Sequence, residues 1–159
     1  MHTKYIPSPV GWVEIKGTDD AITQVWFVET EGVDTAEPPP VILQCAQQLQ
    51  EYFEGKRFDF DVPIAPQGSE FQLKVWDELK RIDYADTTTY GNIAKQLNDV
   101  NASRAVGLAN GKNPIAIILP CHRVIGENGK LTGYAGGLWR KEWLLTHEGK
   151  TSGKLLTLF

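Results

Sequence analysis

Cysteine is scarce in this sequence, with only Cys45 and Cys121 among 159 residues. The two form no CxxC pair, so a disulfide framework is excluded, and the Cys and His ligands are too few for a usual structural zinc site. No stretch approaches the roughly 20 apolar residues of a membrane-spanning helix, and no secretory signal is visible. The sequence therefore predicts a cytoplasmic protein, or a nuclear one in a eukaryote, with no metal and no membrane partner.

Positive charge is also in short supply, because 16 Lys and Arg stand against 20 Asp and Glu, for a net charge of −4. That balance argues against a general nucleic-acid binder, but it is unevenly distributed. Residues 1–67 carry 4 basic and 11 acidic side chains, whereas residues 68–159 carry 12 and 9. An acidic part and a basic part indicate two modules, with any polyanionic partner on the second, although ordinary scatter of charges is the alternative.

The first part of the chain has the pattern of a small β-sheet. Two runs rich in β-branched and aromatic residues, 10–16 and 21–28, flank a short turn and predict a β-hairpin. A further strand near residues 4–6 is predicted to join it.

A helix and then a break in composition follow the predicted hairpin. Residues 30–40 read as an acidic loop, and apolar residues recur at helical spacing over 41–53 before a glycine stop. Two prolines and a glycine in 61–68 mark a boundary, which divides the chain into domains 1–65 and 66–159.

The second part has a mostly helical pattern. Ser69 and Gln72 form a capping box, and the helix that begins there is followed by two shorter ones separated by a polar turn. Helix, short turn and helix is the pattern of a helix-turn-helix. The predicted elements are helices over 69–82, 90–97 and 102–110, a strand-like apolar run over 115–119, a glycine-rich loop over 126–137, and a last helix over 138–148 that Gly149 stops.

Cys121 lies in the segment Leu119-Pro120-Cys121-His122-Arg123-Val124, directly after the apolar run. Only a thiolate is a good nucleophile, and a neighbouring base or positive charge lowers the pKa of a thiol. A cysteine followed by histidine and arginine is therefore a candidate nucleophile, and the alternative is a buried structural cysteine with chance neighbours. Cys45 lies on the apolar face of the predicted helix 41–53 and is interpreted as structural.

The segment Pro120-Cys121-His122-Arg123-Val124 resembles the active-site motif of the O6-alkylguanine-DNA alkyltransferases. The resemblance extends in order and spacing over residues 68–150, whereas residues 1–65 resemble the family's variable N-terminal domain only in coarse pattern. Metal ligands that some relatives carry in that domain are not apparent here. The other matching segments are Thr89-Tyr90-Gly91, Arg104-Ala105-Val106-Gly107, Asn113-Pro114, Gly133-Tyr134-Ala135-Gly136-Gly137, and the run from Lys141 to Gly149.

The resemblance implies roles for four residues at the reacting centre. Cys121 would accept the alkyl group, and His122 would act through a water molecule as the base that maintains the thiolate. Glu148 would orient and charge-stabilise His122, in the general arrangement of nucleophile, base and orienting acid. Asn113 would tie together the turn between the helix-turn-helix and the active-site segment. His147 is interpreted as a packed or surface histidine without a catalytic role.

The resemblance also implies a DNA-binding face and a substrate pocket. Small side chains on helix 102–110 would allow close approach to a minor groove about 6 Å wide, although a tightly packed core helix is the alternative. Arg104 would fill the gap left by an extruded base, and Tyr90 would push on the phosphate beside it. The implied DNA contacts are Tyr90, Ala102, Ser103, Arg104 and Gly107, and the implied pocket residues are Val124, Tyr134, Ala135, Gly136 and Lys141.

The implied fold is an α/β N-terminal domain with an antiparallel, ribonuclease H-like sheet, followed by a mostly α-helical domain with a helix-turn-helix and a wing-like loop. The implied function is direct-reversal repair, in which a monomer moves an alkyl group from O6 of guanine in double-stranded DNA to Cys121, once and without a cofactor. Whether O4-alkylthymine is also repaired stays open. One alternative is an alkyltransferase-like binder, which would lack the cysteine that is present here. The other is an unrelated cysteine hydrolase, whose histidine would be distant in sequence.

Overall fold

The computed structural model describes residues 1–153, which form two compact units. The first unit contains Met1–Gln67 together with Pro114–Ala116, and the second contains Gly68–Asn113 together with the chain from residue 117 onward. The sequence predicts a second domain that continues without interruption from residue 66. The inclusion of Pro114–Ala116 in the first unit is not indicated by the sequence.

The first unit is built on an antiparallel sheet of β1 (His2–Ile6), β2 (Trp12–Gly17) and β3 (Ile22–Val28), in that order. Residues of β2 alternate between half-buried and buried, as expected for a strand with one face toward a core. The predicted hairpin and N-terminal strand are therefore confirmed. The backbone of Val25 in β3 also pairs with the short returning stretch, since its N–H donates to the Pro114 carbonyl at 3.0 Å.

Helix α1 (Pro40–Phe53) covers this sheet. Ile42, Cys45, Leu49 and Tyr52 are all fully buried, at the helical spacing that the sequence shows. Proline is tolerated at the first helical position because the N–H that it lacks would have no partner in the helix. Cys45 thus lies in the core of the first unit, as its position in the sequence predicted.

The second unit begins with three helices that pack on one another: α2 (Glu70–Leu79), α3 (Tyr90–Gln96) and α4 (Ser103–Gly111). The Ser69 hydroxyl accepts from the Gln72 N–H, and the Gln72 side chain accepts from the Ser69 N–H, so the predicted capping box is confirmed. The buried indole of Trp76 donates to the Ala109 carbonyl at 2.8 Å and ties α2 to α4. This packing leaves one side of α4 at the surface.

Two short parallel strands, β4 (Thr88–Thr89) and β5 (Val124–Ile125), connect the helices to the candidate nucleophile. A single 3-10 turn, Cys121–Arg123, immediately precedes β5. The predicted apolar run 115–119 is buried except for the half-buried Ile118, and it is not a strand. Only Ile115 pairs, through a bridge to Val25, and the following residues form turns with Ile117 at φ 72°.

Helix α5 (Leu138–Ser152) is longer than its sequence pattern indicated. The prediction that Gly149 stops the helix is wrong, because Gly149 is a buried residue in the helix interior. The helix ends at Gly153, which adopts the left-handed conformation at φ 78° that glycine accommodates without strain. None of the helices within residues 1–153 has the length and apolar content needed to cross a membrane.

Candidate active site

Cys121 is the first residue of the 3-10 turn, and only 5% of its surface is exposed. Two buried asparagines at the end of α4 hold the backbone around it. The Asn113 amide donates to the Leu119 carbonyl at 2.8 Å, and the Asn110 amide donates to the Cys121 carbonyl at 3.3 Å. The position of the thiol is therefore coupled directly to the helix that precedes it.

His122 and Glu148 form a fully buried pair. The Nε2 atom of His122 lies 2.6 Å from Oε2 of Glu148, which α5 carries into the interior. Burial alone raises the pKa of Glu148, but the charges and hydrogen bonds of His122 and Arg123 outweigh it and hold the pKa well below its usual range. Burial lowers the pKa of His122. An ionised glutamate beside a neutral imidazole assigns the proton to Nε2, which donates to the carboxylate.

The second ring nitrogen of His122 is placed to accept a proton. Nδ1 is buried and has no hydrogen-bond partner among the described residues. In the tautomer set by Glu148 this atom carries the lone pair. The arrangement suits a general base whose orientation an acidic side chain fixes.

Arg123 points toward Glu148. Its Nε and Nη2 atoms donate to the two carboxylate oxygens at 2.9 and 3.1 Å, and its Nη1 atom donates to the Ile82 carbonyl at 2.6 Å. The sequence suggested that this positive charge lowers the pKa of the neighbouring thiol. The structure corrects that expectation, because the charge is matched by Glu148.

Other groups act on the thiol of Cys121. Burial raises its pKa above the ordinary value of 9.0, and interactions with the Asn113 amide, the Lys141 ammonium and the Tyr134 hydroxyl offset that rise in part. A buried thiol with a raised pKa is protonated at neutral pH. It therefore needs a base before it can react as a thiolate.

Lys141 links the site to the glycine-rich loop. Its fully buried ammonium donates to the carbonyls of Val124 and Thr132 at 2.7 and 2.9 Å, and burial lowers its pKa to about 8. Of the other residues assigned to the pocket, Tyr134 is half-buried, Gly136 is buried and Ala135 is exposed. The carbonyl of Gly136 accepts from Arg140 at 2.9 Å.

The residues assigned to DNA contact form a separate group around α4. Arg104 is exposed, Ser103 and Gly107 are half-buried, and Ala102 is buried. The ring of Tyr90 lies beside Gly107, where an added Cβ would be 3.8 Å from it. The Tyr90 hydroxyl is 3.0 Å from the Thr132 hydroxyl, so this tyrosine connects α3 and α4 to the glycine-rich loop.

Two further observations concern metal binding and His147. Within residues 1–153, no group of three or more His, Cys, Asp or Glu side chains is arranged to hold a metal ion. His147 stacks on the Trp143 ring at a centroid separation of 4.7 Å.

Both units match domains of one known family. Residues 1–66 match the profile of the 6-O-methylguanine DNA methyltransferase ribonuclease-like domain, and residues 70–150 match that of the DNA binding domain. The chain belongs to this family. The resemblance seen in its motifs is thereby confirmed, as is a two-domain fold with an antiparallel sheet in the first domain and a helical DNA-binding domain.

Similar proteins support this assignment, and the similarity covers nearly the whole length of each of them. The chain is 49% identical over 154 residues to the methylated-DNA–protein-cysteine methyltransferase of Methanosarcina acetivorans, covering 94% of this chain and 99% of that protein. It is 46% identical over 158 residues to the enzyme of the same name from Mycolicibacterium paratuberculosis, covering 97% and 96%. A crystal structure of Mycobacterium tuberculosis OGT in complex with DNA has a TM-score of 0.87 and 44% identity, covering 95% and 94%.

Two residues of the site were missed as functional candidates. In the sequence, Asn110 lies at the end of a predicted helix of small residues, where a polar amide is a signal for a hydrogen bond to the backbone. The sequence around Arg123 indicates only a positive charge next to the thiol. Its real partner, Glu148, lies 25 residues further along the chain, and no local pattern indicates that contact.

Proposed function

We propose that this protein repairs alkylated DNA directly, by moving a methyl or larger alkyl group from O6 of guanine to the sulfur of Cys121, once per molecule. The observation that carries the proposal is the buried Cys121 thiol beside a histidine–glutamate pair, in a chain of this family. Guanine O6 is the proposed specificity, and O4-alkylthymine is a second candidate substrate. The protein is proposed to act as a monomer, in the cytoplasm or in a nucleus.

The transfer begins with loss of the Cys121 proton. His122 accepts this proton at Nδ1 through a water molecule, while Nε2 keeps its hydrogen bond to Glu148. The thiolate then attacks the alkyl carbon in line, a carbon–sulfur bond forms, and the carbon–O6 bond breaks. The electron pair of that bond goes to guanine, whose developing negative charge is stabilised by hydrogen-bond donors near O6 or N1. Guanine takes up a proton at N1 from solvent, which balances the proton that Cys121 gave to His122, and leaves as the restored base. No cofactor takes part, and the thioether product does not regenerate the thiol.

The proposed substrate pocket lies between the thiol and the glycine-rich loop. Val124, Tyr134, Ala135, Gly136 and Lys141 are its proposed residues. Lys141 supports this reading indirectly, because it holds the carbonyl of Val124 and that of Thr132 in the loop. Small loop residues would let backbone groups approach the edge of the base.

Helices α3 and α4 are proposed to act as a helix-turn-helix on double-stranded DNA. Asn98 lies in the turn between them and adopts φ 60°, which asparagine tolerates better than most residues. The surface of α4 presents Arg104 and otherwise small or apolar side chains, among them Ala105 and Leu108. Such a surface suits close approach to a groove, with Ala102, Ser103 and Gly107 limiting the bulk of the helix.

A base inside a duplex must leave the stack before it can reach a buried thiol, at a cost of a few kcal/mol. Arg104 is the long cation on the proposed DNA-facing helix, and we propose that it fills the space of the extruded nucleotide. Tyr90 is proposed to press on the adjacent phosphate. The Tyr90 ring lies beside Gly107, and its hydroxyl lies near Thr132 in the glycine-rich loop. A movement of Tyr90 against the phosphate would therefore be transmitted to the proposed pocket.

Intact-mass measurement tests the proposal. After incubation with a duplex carrying one O6-methylguanine, the protein is expected to gain the mass of one methyl group and to stop there, however much substrate is added. Peptide mapping should locate that group on Cys121 and leave Cys45 unmodified. A protein that gains no methyl group, or gains it on Cys45, would contradict the proposed function.

Replacing Arg104 with alanine separates base extrusion from chemistry. Single-turnover transfer from the duplex is expected to fall by about ten- to a hundredfold, since each 1.4 kcal/mol of lost stabilisation slows a step by about tenfold. Transfer from the free O6-alkylguanine base, which requires no extrusion, should remain near the wild-type rate. An equal loss on both substrates would assign Arg104 to the pocket or the fold.

A further inference from the structure

Arg123 is a buried cation that the proposed transfer does not use. It contacts both oxygens of Glu148, and with the N–H of Ala85 at 3.1 Å it completes a set of four donors around that carboxylate. Oε1 accepts from Arg123 and Ala85, whereas Oε2 accepts from His122 and Arg123. Four donors occupy the lone-pair directions of a carboxylate, so the plane of Glu148 is fixed.

The surroundings hold the guanidinium equally firmly. The carbonyl of Ile82 accepts its third hydrogen bond, and the Tyr84 ring lies under it at 5.6 Å from the guanidinium carbon. Ala85 adopts φ 64°, a conformation that non-glycine residues rarely take, and this turns its N–H toward Glu148. The segment between α2 and β4 thus encloses the Arg123–Glu148 pair with backbone groups.

The charge balance inside the site depends on this pair. If Glu148 had only His122 as a partner, a buried carboxylate would favour the charged imidazolium. With Arg123 present, the carboxylate already has a full opposite charge. We infer that Arg123 is a positioning residue for alkyl transfer, which through Glu148 keeps His122 neutral and oriented with Nδ1 available to accept the Cys121 proton. This inference rests on the proposed function.

The charged groups that face His122 come from two elements. Glu148 and Lys141 belong to α5, and Arg123 belongs to the same turn as His122. Glu148 raises the pKa of His122, whereas burial, Arg123 and Lys141 lower it. In the segment after α2, Asp83 and Asp86 are exposed and Tyr84 faces the guanidinium. Loss of the Arg123 charge should therefore raise the pKa of His122.

The test compares Arg123→Gln, which removes the charge, with Arg123→Lys, which keeps the charge but cannot reach both oxygens as a planar fork. Arg81→Gln is the matched control, because that arginine is exposed and pairs with Glu78 at the surface. Two readouts are taken on each folded protein. One is the NMR titration of the His122 ring, and the other is the pH dependence of single-turnover transfer from methylated duplex.

In Arg123→Gln, the pKa of His122 is expected to rise by about one unit or more. The acidic limb of the rate profile should move to higher pH by the same amount, because the base becomes protonated sooner. Arg123→Lys should leave the limb within a fraction of a unit of wild type but slow transfer by about tenfold or more, since the orientation is lost. Arg81→Gln should match wild type in both readouts.

An unshifted His122 titration in folded Arg123→Gln would overturn the inference. If Arg123→Gln fails to fold, Arg123→Lys decides the test. Transfer at the wild-type rate in Arg123→Lys would show that the contact with both carboxylate oxygens is dispensable and would overturn the inference. Slower transfer with an unshifted acidic limb of the rate profile would support the inference. The NMR titration needs no DNA substrate. Failure of the wild-type protein to accept a methyl group would therefore reject the proposed function, and the effect of Arg123 on His122 would still be read separately.

Discussion

Replacing Cys121 with alanine is expected to abolish alkyl transfer while leaving the affinity for duplex DNA close to wild type. The reaction needs a sulfur nucleophile at this position, and none of the neighbouring groups can take its place. DNA affinity should persist because the proposed contacts lie on α4, where Arg104 is exposed, and the thiol is buried. Methyl transfer is followed by intact mass, and affinity by titration of a labelled duplex.

Cys45→Ala is the matched control for this experiment. Both cysteines are buried, and burial raises the pKa of both thiols, for Cys45 to about 12. Only Cys121 has polar partners that lower its pKa again, and only Cys121 adjoins the His122–Glu148 pair. Cys45→Ala should therefore transfer at the wild-type rate. Residual transfer in Cys121→Ala would show that another residue accepts the alkyl group.

Elements with a local signal could be predicted from the sequence. Alternation in the strands, the spacing of Ile42, Cys45 and Leu49, and the Ser69–Gln72 pair each report on contacts within a few residues of one another. These features are all present in the structure, with boundaries that shift by only a few residues. Helix α5 shows where local signals fail, because a glycine in the position of Gly149 usually marks the end of a helix. Packing in the interior overrides that preference, which is worth only about 1 kcal/mol.

The residues of the candidate site also differ in how far the sequence indicates their roles. Cys121 and His122 are adjacent in sequence, so their chemistry could be read directly, and the part assigned to Glu148 came only from family resemblance. The partners of Arg123 could not be predicted. The Arg123–Glu148 pair makes two of its hydrogen bonds with backbone groups, the Ile82 carbonyl and the Ala85 N–H. Because these groups belong to the main chain, residue identity does not indicate that they form such contacts. The sequence therefore suggests that the Arg123 charge acts on the thiol, whereas in the structure Arg123 pairs with the Glu148 carboxylate.

Replacing Glu148 with glutamine is expected to slow transfer by about two to four orders of magnitude, the range for losing the acid that sets a catalytic histidine's tautomer. Glu148 accepts hydrogen bonds from four N–H groups, two at each carboxylate oxygen, so in either orientation the amide NH2 of glutamine faces N–H groups. If it faces Nε2 of His122, the imidazole must carry its proton on Nδ1 and can no longer accept one there. If it faces Arg123 and Ala85, two donors lose their acceptor.

The same substitution should lower the free energy of unfolding by roughly 3–5 kcal/mol at neutral pH, because it leaves the Arg123 charge buried without its partner. The pH dependence provides a further check. The pKa of Glu148 in the folded protein lies well below its ordinary value of 4.5, so its stabilisation is present above about pH 4.5 and is lost as the pH falls. The difference between wild type and Glu148→Gln should therefore narrow in acid.

Glu142→Gln is the control for both measurements, since Glu142 is exposed on the same helix. Denaturant unfolding is measured at neutral pH and at several values below 4.5, and single-turnover transfer from methylated duplex is measured at neutral pH. Wild-type transfer by Glu148→Gln would remove this residue from the relay. A difference in stability that stays constant down to acid pH would show that Glu148 contributes through its shape, since only an ionised carboxylate makes the contribution depend on pH.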